Sequence, residues 1–334
     1  MFPFIDLPAL PLPFGQKIDI FGVMSTAGVI TGALLAAKAA KKYGPGDDTP
    51  LRDVVPWAVI IGLYGGHFMH IFAYHPELVR NVPLTLGMVL GLGVVGLFIY
   101  RQKWSDNARW AAFIGVCGAI YLLTKNAAPD VHADFMTAVK AWDGLSSMGG
   151  VLGALAGIFI FFRKEKIPLT PYLDALALGT APGWAIARIG CYLVHDHPGW
   201  RTDFFLAVAY PERDPNHGTV YGGPRHDLGL YDFFVLAAIT ALIWGLRKKL
   251  YGTGMLMGLL AAIYSLCRFN LDFLRASDLG FVDKRYAGLT PAQYVVMGIF
   301  VVGVRLLWQG RQKLAGQKPP GAPSPALTRE GRSP

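Results

Sequence analysis

Nine apolar stretches, each close to bilayer length, divide this sequence and limit what it can fold into. They run over residues 19–40, 54–74, 83–101, 108–124, 145–163, 171–195, 229–246, 252–275 and 291–309. A helix of about 20 apolar residues matches the hydrocarbon thickness of a membrane. The expectation is therefore an all-α polytopic membrane protein with about nine transmembrane helices. With 53% hydrophobic and only 16% charged residues over 334 positions, the chain has no room for a large soluble core. Its three cysteines, Cys117, Cys191 and Cys267, all fall in apolar stretches, so no disulfide framework is implied. The net charge of +9 suits loops facing anionic lipid. No basic run interleaves with aromatics, so nucleic acid is not an expected partner.

Lysine and arginine positions orient the spans. Alternate loops carry Lys38, Lys41, Lys42 and Arg52; Arg101, Lys103 and Arg109; Arg163, Lys164 and Lys166; and Arg247, Lys248 and Lys249. The tail from Arg305 onward carries six basic residues. This puts the N-terminus outside, the C-terminus in the cytoplasm, and the loop 196–228 on the external side. Residues 1–18, rich in Pro and Phe, have no basic leader region or cleavage site and read as an interfacial arm. Residues 131–142 read as a short amphipathic piece on the membrane. The transmembrane domain is expected over 1–316, with 317–334 a disordered cytoplasmic tail.

The polar groups inside these spans suggest a site. Arg188, Cys191 and His195 fall at i, i+3 and i+7, one face of a helix that Pro198 and Gly199 are expected to stop. A lone arginine near a helix end can snorkel to water, but a thiol and an acid–base cluster on the same face point to chemistry. His67, His70 and Tyr74 repeat that spacing. Gly149, Gly153 and Gly157 recur every four residues, which suits close helix packing. Gly149 and Gly150, at the mouth of their span, would also let a lipid headgroup approach the backbone. Tyr264, Arg268, Asp272 and Arg275 form a polar stripe in which Asp272 can pair with either arginine. One positive charge is left over, and with Arg188 that makes two guanidinium groups without obvious internal partners. Forked guanidiniums match a phosphate. Arg225 and His226 lie at the external surface, before Tyr231 and Asp232. A phospholipid headgroup is the natural ligand of this set.

Further motifs accompany these residues: Ile18-Asp-Ile-Phe-Gly22, Trp142-Asp-Gly-Leu-Ser-Ser-Met-Gly-Gly150, Arg188-Ile-Gly190 with Gly199 eleven residues on, Arg225-His226, Asp272-Phe-Leu-Arg275, Asp278 and Leu289-Thr-Pro-Ala-Gln293. In order, spacing and membrane side the set resembles the prolipoprotein diacylglyceryl transferases, over most of the chain. The resemblance implies a seven-helix core with an inserted two-helix hairpin at 83–124. It also implies a multi-pass protein of the bacterial inner membrane. The implied activity moves a diacylglyceryl group from phosphatidylglycerol to the lipobox cysteine thiol of a prolipoprotein, releasing glycerol phosphate. Implied partners are phosphatidylglycerol, the prolipoprotein signal peptide with its lipobox, and the lipid bilayer; no metal or organic cofactor is called for.

Arg188, Gly199, Arg225, His226, Tyr231, Tyr264, Arg268 and Arg275 match family positions, and Asp196 and Asp272 stand where the family usually has Glu. Departures fall at Met148 (family His), Cys191 (family Asn), Phe21 (family Tyr), and His67 and His70 (family Arg and Tyr). The phosphate-handling half is thus better retained than the proton-handling half. The expected catalytic set is Arg188, Asp196, His226 and Arg268, which stand at family positions, and His195, a candidate base in place of the histidine missing at Met148. Arg188 and Arg268 would hold the phosphate, while His195 or His226, with Asp196 beside the imidazole, would deprotonate the thiol. The substrate-binding set is His67, His70, Gly149, Gly150, Cys191, Gly199, Arg225, Tyr231, Tyr264, Asp272 and Arg275. Three other readings remain: a transferase of the same class with another acceptor, a non-catalytic lipid-binding paralogue, and a metal site drawing on Cys191, His195, His197 and His226.

Overall fold

The computed structural model describes residues 1–5, 7, 10–11, 17–140, 144–214, 218–279 and 283–316. The tail 317–334, expected to be disordered, lies outside the described residues, as do Trp142 and Asp143. Ten α-helices occur among the described residues: α1 (Ile20–Tyr43), α2 (Thr49–Met69), α3 (Val82–Arg101), α4 (Asp106–Ala127), α5 (Pro129–Val139), α6 (Ser147–Lys164), α7 (Leu173–Val194), α8 (Leu228–Leu250), α9 (Met255–Leu271) and α10 (Pro291–Gly316). A wide π turn, His70–Tyr74, extends α2.

Polar residues flanking the apolar runs account for several helix starts. Asp19 accepts from the Phe21 amide at α1, Ser146 from Gly149 at α6, and Asp227 from Leu230 at α8. At α10, Thr290 and Gln293 form a reciprocal capping box: the Gln293 side chain accepts from the Thr290 amide at 2.9 Å, and the Thr290 hydroxyl accepts from the Gln293 amide at 3.3 Å. The Leu289–Gln293 motif is thereby a helix start. Buried Asp174 accepts from the Gly254 and Leu256 amides and ties the first turn of α7 to the start of α9.

α1 packs along α7, α2 along α6 and α10 along α9, while α7 also meets α8 and α9. The close pairs are built on glycine. A Cβ on Gly183 of α7 would sit 2.4 Å from the Gly28 carbonyl of α1, and one on Gly149 of α6 would sit 2.4 Å from the Gly65 carbonyl of α2. Small residues let backbones approach where lipid offers no hydrophobic drive between helices. The Gly149–Gly153–Gly157 repeat is therefore a packing seam against α2. α3, α4 and α5 pack on one another as a side unit.

Seven helical segments among the described residues are long and apolar enough to cross a membrane: Ile20–Tyr43, Thr49–Tyr74, Asn107–Ala127, Ser147–Lys164, Leu228–Leu250, Met255–Leu274 and Pro291–Gly316. The expected nine included two more, α3 and α7. α3 qualifies only as a shorter apolar helix, Val82–Gly96. α7 carries Asp174 and Arg188 and many small residues, and thirteen of its 22 residues are buried. A helix lined by protein does not need the apolarity that lipid contact demands.

The segment 196–228 contains strands rather than a plain loop. β1 (Phe2–Pro3), β4 (Pro198–Arg201), β5 (Val208–Ala209) and β6 (Arg225–Asp227) form a sheet in the order β1-β5-β6-β4, with β1 parallel to β5 and the other pairs antiparallel. β2 (Leu10–Pro11) and β3 (Lys17–Ile18) pair separately. The N-terminal arm thus docks on the segment that follows α7, and the two lie on one side of the bundle.

Candidate active site

α7, α8 and α9 each place one charged residue in a sealed cluster. Arg188 is 1% exposed, Arg268 1% and Asp232 0%. Asp232 Oδ2 lies 3.3 Å from Arg188 Nε and 3.7 Å from Arg268 Nε. Tyr264, a turn before Arg268, accepts from Arg188 Nη2 at 3.1 Å and turns its hydroxyl to Asp232 at 3.5 Å. Arg268 Nη2 reaches Asp272 Oδ1 at 3.1 Å. Arg275 Nε stands 3.5 Å from the same oxygen and its Nη1 pairs with Asp283. Thr290 at the head of α10 donates to the other Asp272 oxygen.

Asp232 corrects the expectation that Arg188 and one arginine of the Arg268–Arg275 stripe lack internal partners: it stands beside both Arg188 and Arg268. It lies one turn into α8, and a carboxylate inside a span is itself a signal of function. Even so, the cluster is not internally satisfied. Arg188 Nε, Arg268 Nε and Nη1, Arg275 Nε, and one oxygen each of Asp232 and Asp272 are buried without hydrogen-bond geometry to any partner. Buried donors left unmade are expensive, so several guanidinium N–H groups here are available to an anion.

His195 is not on the Arg188 face. α7 ends at Val194, and His195 takes a left-handed conformation (φ 49°, ψ 38°) that reverses the chain. Its ring is buried, stacked on Phe4 at 4.0 Å between centroids. Nδ1 lies 3.4 Å from Asp227 and Nε2 3.2 Å from the Ile5 carbonyl. Both ring nitrogens therefore face protein, and the ring fastens the N-terminal arm. Sequence periodicity missed this because the helix stops four residues before Pro198. Asp227 also accepts from the Tyr210 hydroxyl at 2.7 Å, where burial, then Asp227 itself, push the Tyr210 pKa well up.

His226 is half-buried. Its Nδ1 lies 2.8 Å from the Tyr231 hydroxyl, and burial holds its pKa below the usual imidazole value. With Phe204, Leu206, Tyr231, Phe234, Val235, Leu271 and Leu274 it lines an apolar groove of about 390 Å³ between α8 and the end of α9. Tyr231 and Asp232 are adjacent, as are Leu271 and Asp272, so the groove runs beside the charged cluster along the same two helices.

Arg225 is fully buried and its guanidinium is engaged by the protein. It donates to Tyr221 O at 2.6 Å, Gly199 O at 3.0 Å, and both Asp278 oxygens at 2.9 and 2.6 Å. The Arg225 hydrogen bonds, opposed by a smaller effect of burial, hold the Asp278 carboxyl below its ordinary pKa. Gly199 bridges to Arg275, and a Cβ there would fall 2.6 Å from the Leu274 carbonyl and 2.7 Å from the His226 Cβ. Only glycine fits.

His67 and His70 are brought to the connection before α6, not to the arginines. His67 is buried, with Nδ1 3.1 Å from Gly144 O and Nε2 2.8 Å from Thr137 O. Gly144, at φ 85°, leaves the room that the His70 ring fills. Gly150, unlike Gly149, would meet nothing closer than 3.8 Å on gaining a Cβ. Met148 is buried in the helix core.

Cys191 is 3% exposed, with Sγ 3.6 Å from Arg188 Nη1. Its thiol, Asp196 and His197 each bring one ligand-type atom within 4.8 Å of the others. Burial alone would raise the Asp196 pKa, but His197 first, then Arg188 and Arg275, outweigh it and hold the carboxyl below its ordinary value.

The family model described as prolipoprotein diacylglyceryl transferase matches residues 9–100 and 82–309. A phosphatidylglycerol–prolipoprotein diacylglyceryl transferase of Chromohalobacter salexigens is 30% identical over 185 residues, 54% of this chain and 66% of that protein. One from Nitratidesulfovibrio vulgaris is 28% identical over 222 residues, covering 65% and 80%. One from Cereibacter sphaeroides is 28% identical over 286 residues, covering 79% and 98%.

Proposed function

This chain belongs to the prolipoprotein diacylglyceryl transferase family, and on that premise we propose that it transfers a diacylglyceryl group from phosphatidylglycerol to a lipobox cysteine thiol, releasing glycerol phosphate. The observation that carries the reading is the α7–α9 cluster, where buried guanidinium N–H groups of Arg188 and Arg268 beside Asp232, and of Arg275 beside Asp272, lack hydrogen-bond partners. A phosphate would accept from them and draw charge stabilisation as it leaves. The groove beside it would take acyl chain.

In this reading Arg188 and Arg268 hold the phosphate, Tyr264 and Asp232 aim them, and Asp272 positions Arg268 and Arg275. Arg225 and Gly199 fix the sheet that borders the site. His226, rather than His195, receives the thiol proton: with Nδ1–H donating to Tyr231, Nε2 carries the lone pair. All nine spans, α3 and α7 included, lie in the bacterial inner membrane, with the N-terminus and sheet outside. A reporter fused after Lys249 should then read as cytoplasmic and one at 205–214 as external; the opposite pair would reverse the site's placement. Met148, buried where the family has a histidine, favours a second reading in which the same donor meets a different acceptor. The deciding experiment is transfer from labelled phosphatidylglycerol to a lipobox peptide by the purified protein. Absence of transfer, with donor binding intact, supports the second reading.

A further inference from the structure

We propose that Cys191, Asp196 and His197 form a site for one thiophilic divalent cation, zinc by ligand chemistry, whose open fourth position takes the acceptor thiol. The left-handed turn at His195 folds Asp196 and His197 back over Cys191 in the last turn of α7, bringing a sulfur, a carboxylate oxygen and an imidazole nitrogen within 4.8 Å of one another. These are the three ligand types zinc accepts, and tetrahedral bonding at its usual lengths sets such atoms roughly 3.5 Å apart. The Asp196 side chain, 39% exposed, has open space in which to turn toward the other two. His197 Nδ1 is buried and lies 2.5 Å from Asp196 Oδ1, so two of the three ligand-type atoms already face each other. The His197 carbonyl accepts from Leu228 N at 3.0 Å, which fixes the turn on the start of α8. Thiolate, carboxylate and neutral imidazole carry two negative charges, so the loaded site is neutral and does not repel Arg188, 3.6 Å from Cys191.

Three protein ligands with an open position is the pattern of a catalytic rather than a structural site. A thiol bound to such an ion is deprotonated outright. This role rests on the transferase reading; the binding site itself does not. The acceptor S–H would give its proton to His226 and then to solvent. Its sulfur pair would form the C–S bond to the glycerol carbon, while the C–O bond to phosphate breaks and its electron pair leaves with glycerol phosphate. The ion would thus supply the thiol activation for which Met148 offers no group.

The test uses the full-length protein in detergent micelles, analysed for metal and then loaded with cobalt as a spectroscopic substitute. The expected result is about one zinc per chain as isolated, and a thiolate-to-cobalt charge-transfer band that Cys191→Asn abolishes and His197→Gln weakens. His75→Gln, at an imidazole outside the cluster, should leave both unchanged. If Cys191→Asn fails to fold, the band in the parent protein against His197→Gln decides. No bound zinc and no cobalt band in the parent protein overturns the site. Full transfer activity after chelation to metal-free protein overturns the ion's role and leaves the transferase reading standing. A protein that binds cobalt through Cys191 yet transfers no diacylglyceryl group overturns the transferase reading and leaves the site.

Discussion

Replacing Asp232 by Asn keeps the side-chain volume and removes the one carboxylate that two buried arginines share. With Oδ2 at 3.3 Å from Arg188 Nε and 3.7 Å from Arg268 Nε, Coulomb attraction at an effective dielectric of about 20 amounts to about 5 and about 4.5 kcal/mol. These gross values overstate the loss, because the amide also escapes the desolvation cost of a buried charge. Removing one partner of a buried pair destabilises by about 3–5 kcal/mol. For a chain of 334 residues that corresponds to a fall in Tm of roughly 4–7 °C. An anion seated among the guanidiniums should recover part of it: a ligand at a hundred times its Kd adds about 2.7 kcal/mol. The assay is tryptophan-monitored thermal unfolding in detergent micelles, with and without glycerol phosphate, for parent and Asp232→Asn. The variant should melt lower and gain more from the anion than the parent does. A variant that melts within about 2 °C of the parent, or gains no more from glycerol phosphate, refutes the argument that Asp232 holds these arginines for a phosphate.

Arg188→Lys should lose kcat/KM by about a hundredfold or more, nearly as much as Arg188→Ala, because one ammonium cannot serve Tyr264, Asp232 and a phosphate together; retention within about threefold would reduce Arg188 to a plain cation. His226 is held below the usual imidazole pKa, so it is neutral at pH 7 and the rate should fall as pH drops through that lowered value. His226→Gln should remove this acid limb, whereas His195→Gln should loosen the N-terminal arm, read as faster proteolysis near Ile5, and leave the limb in place. Asp278, whose folded pKa is depressed by Arg225, stabilises the sheet above its ordinary carboxylate pKa, and that contribution disappears as pH falls through the depressed value. Asp278→Asn should therefore melt at a temperature that no longer drops over that acid window, and a variant that keeps the parent's pH slope would rule the pair out as its source.

Local pattern was enough for the helices and for picking out the charges set among them. Runs of bilayer length specify their own backbone hydrogen bonds, and charges among them are so costly that Arg188, Arg268, Asp272 and Arg275 could be picked out along the chain. The family motifs named the same positions. Partnership across the bundle was not legible in this way. Asp232 is 44 residues from Arg188 and 36 from Arg268, and which charges meet depends on how α8 is rotated against α7 and α9. That rotation is set by packing over whole helix faces. The same limit hid the role of His195: one residue in the left-handed region turned a predicted helix face into a chain reversal. It docked the ring on Phe4 and the Ile5 carbonyl and laid Asp196 and His197 beside Cys191. Periodicity assumes the helix continues. The tertiary structure decides where it ends, because the sheet formed by the arm and the segment after α7 gives the departing backbone its partners.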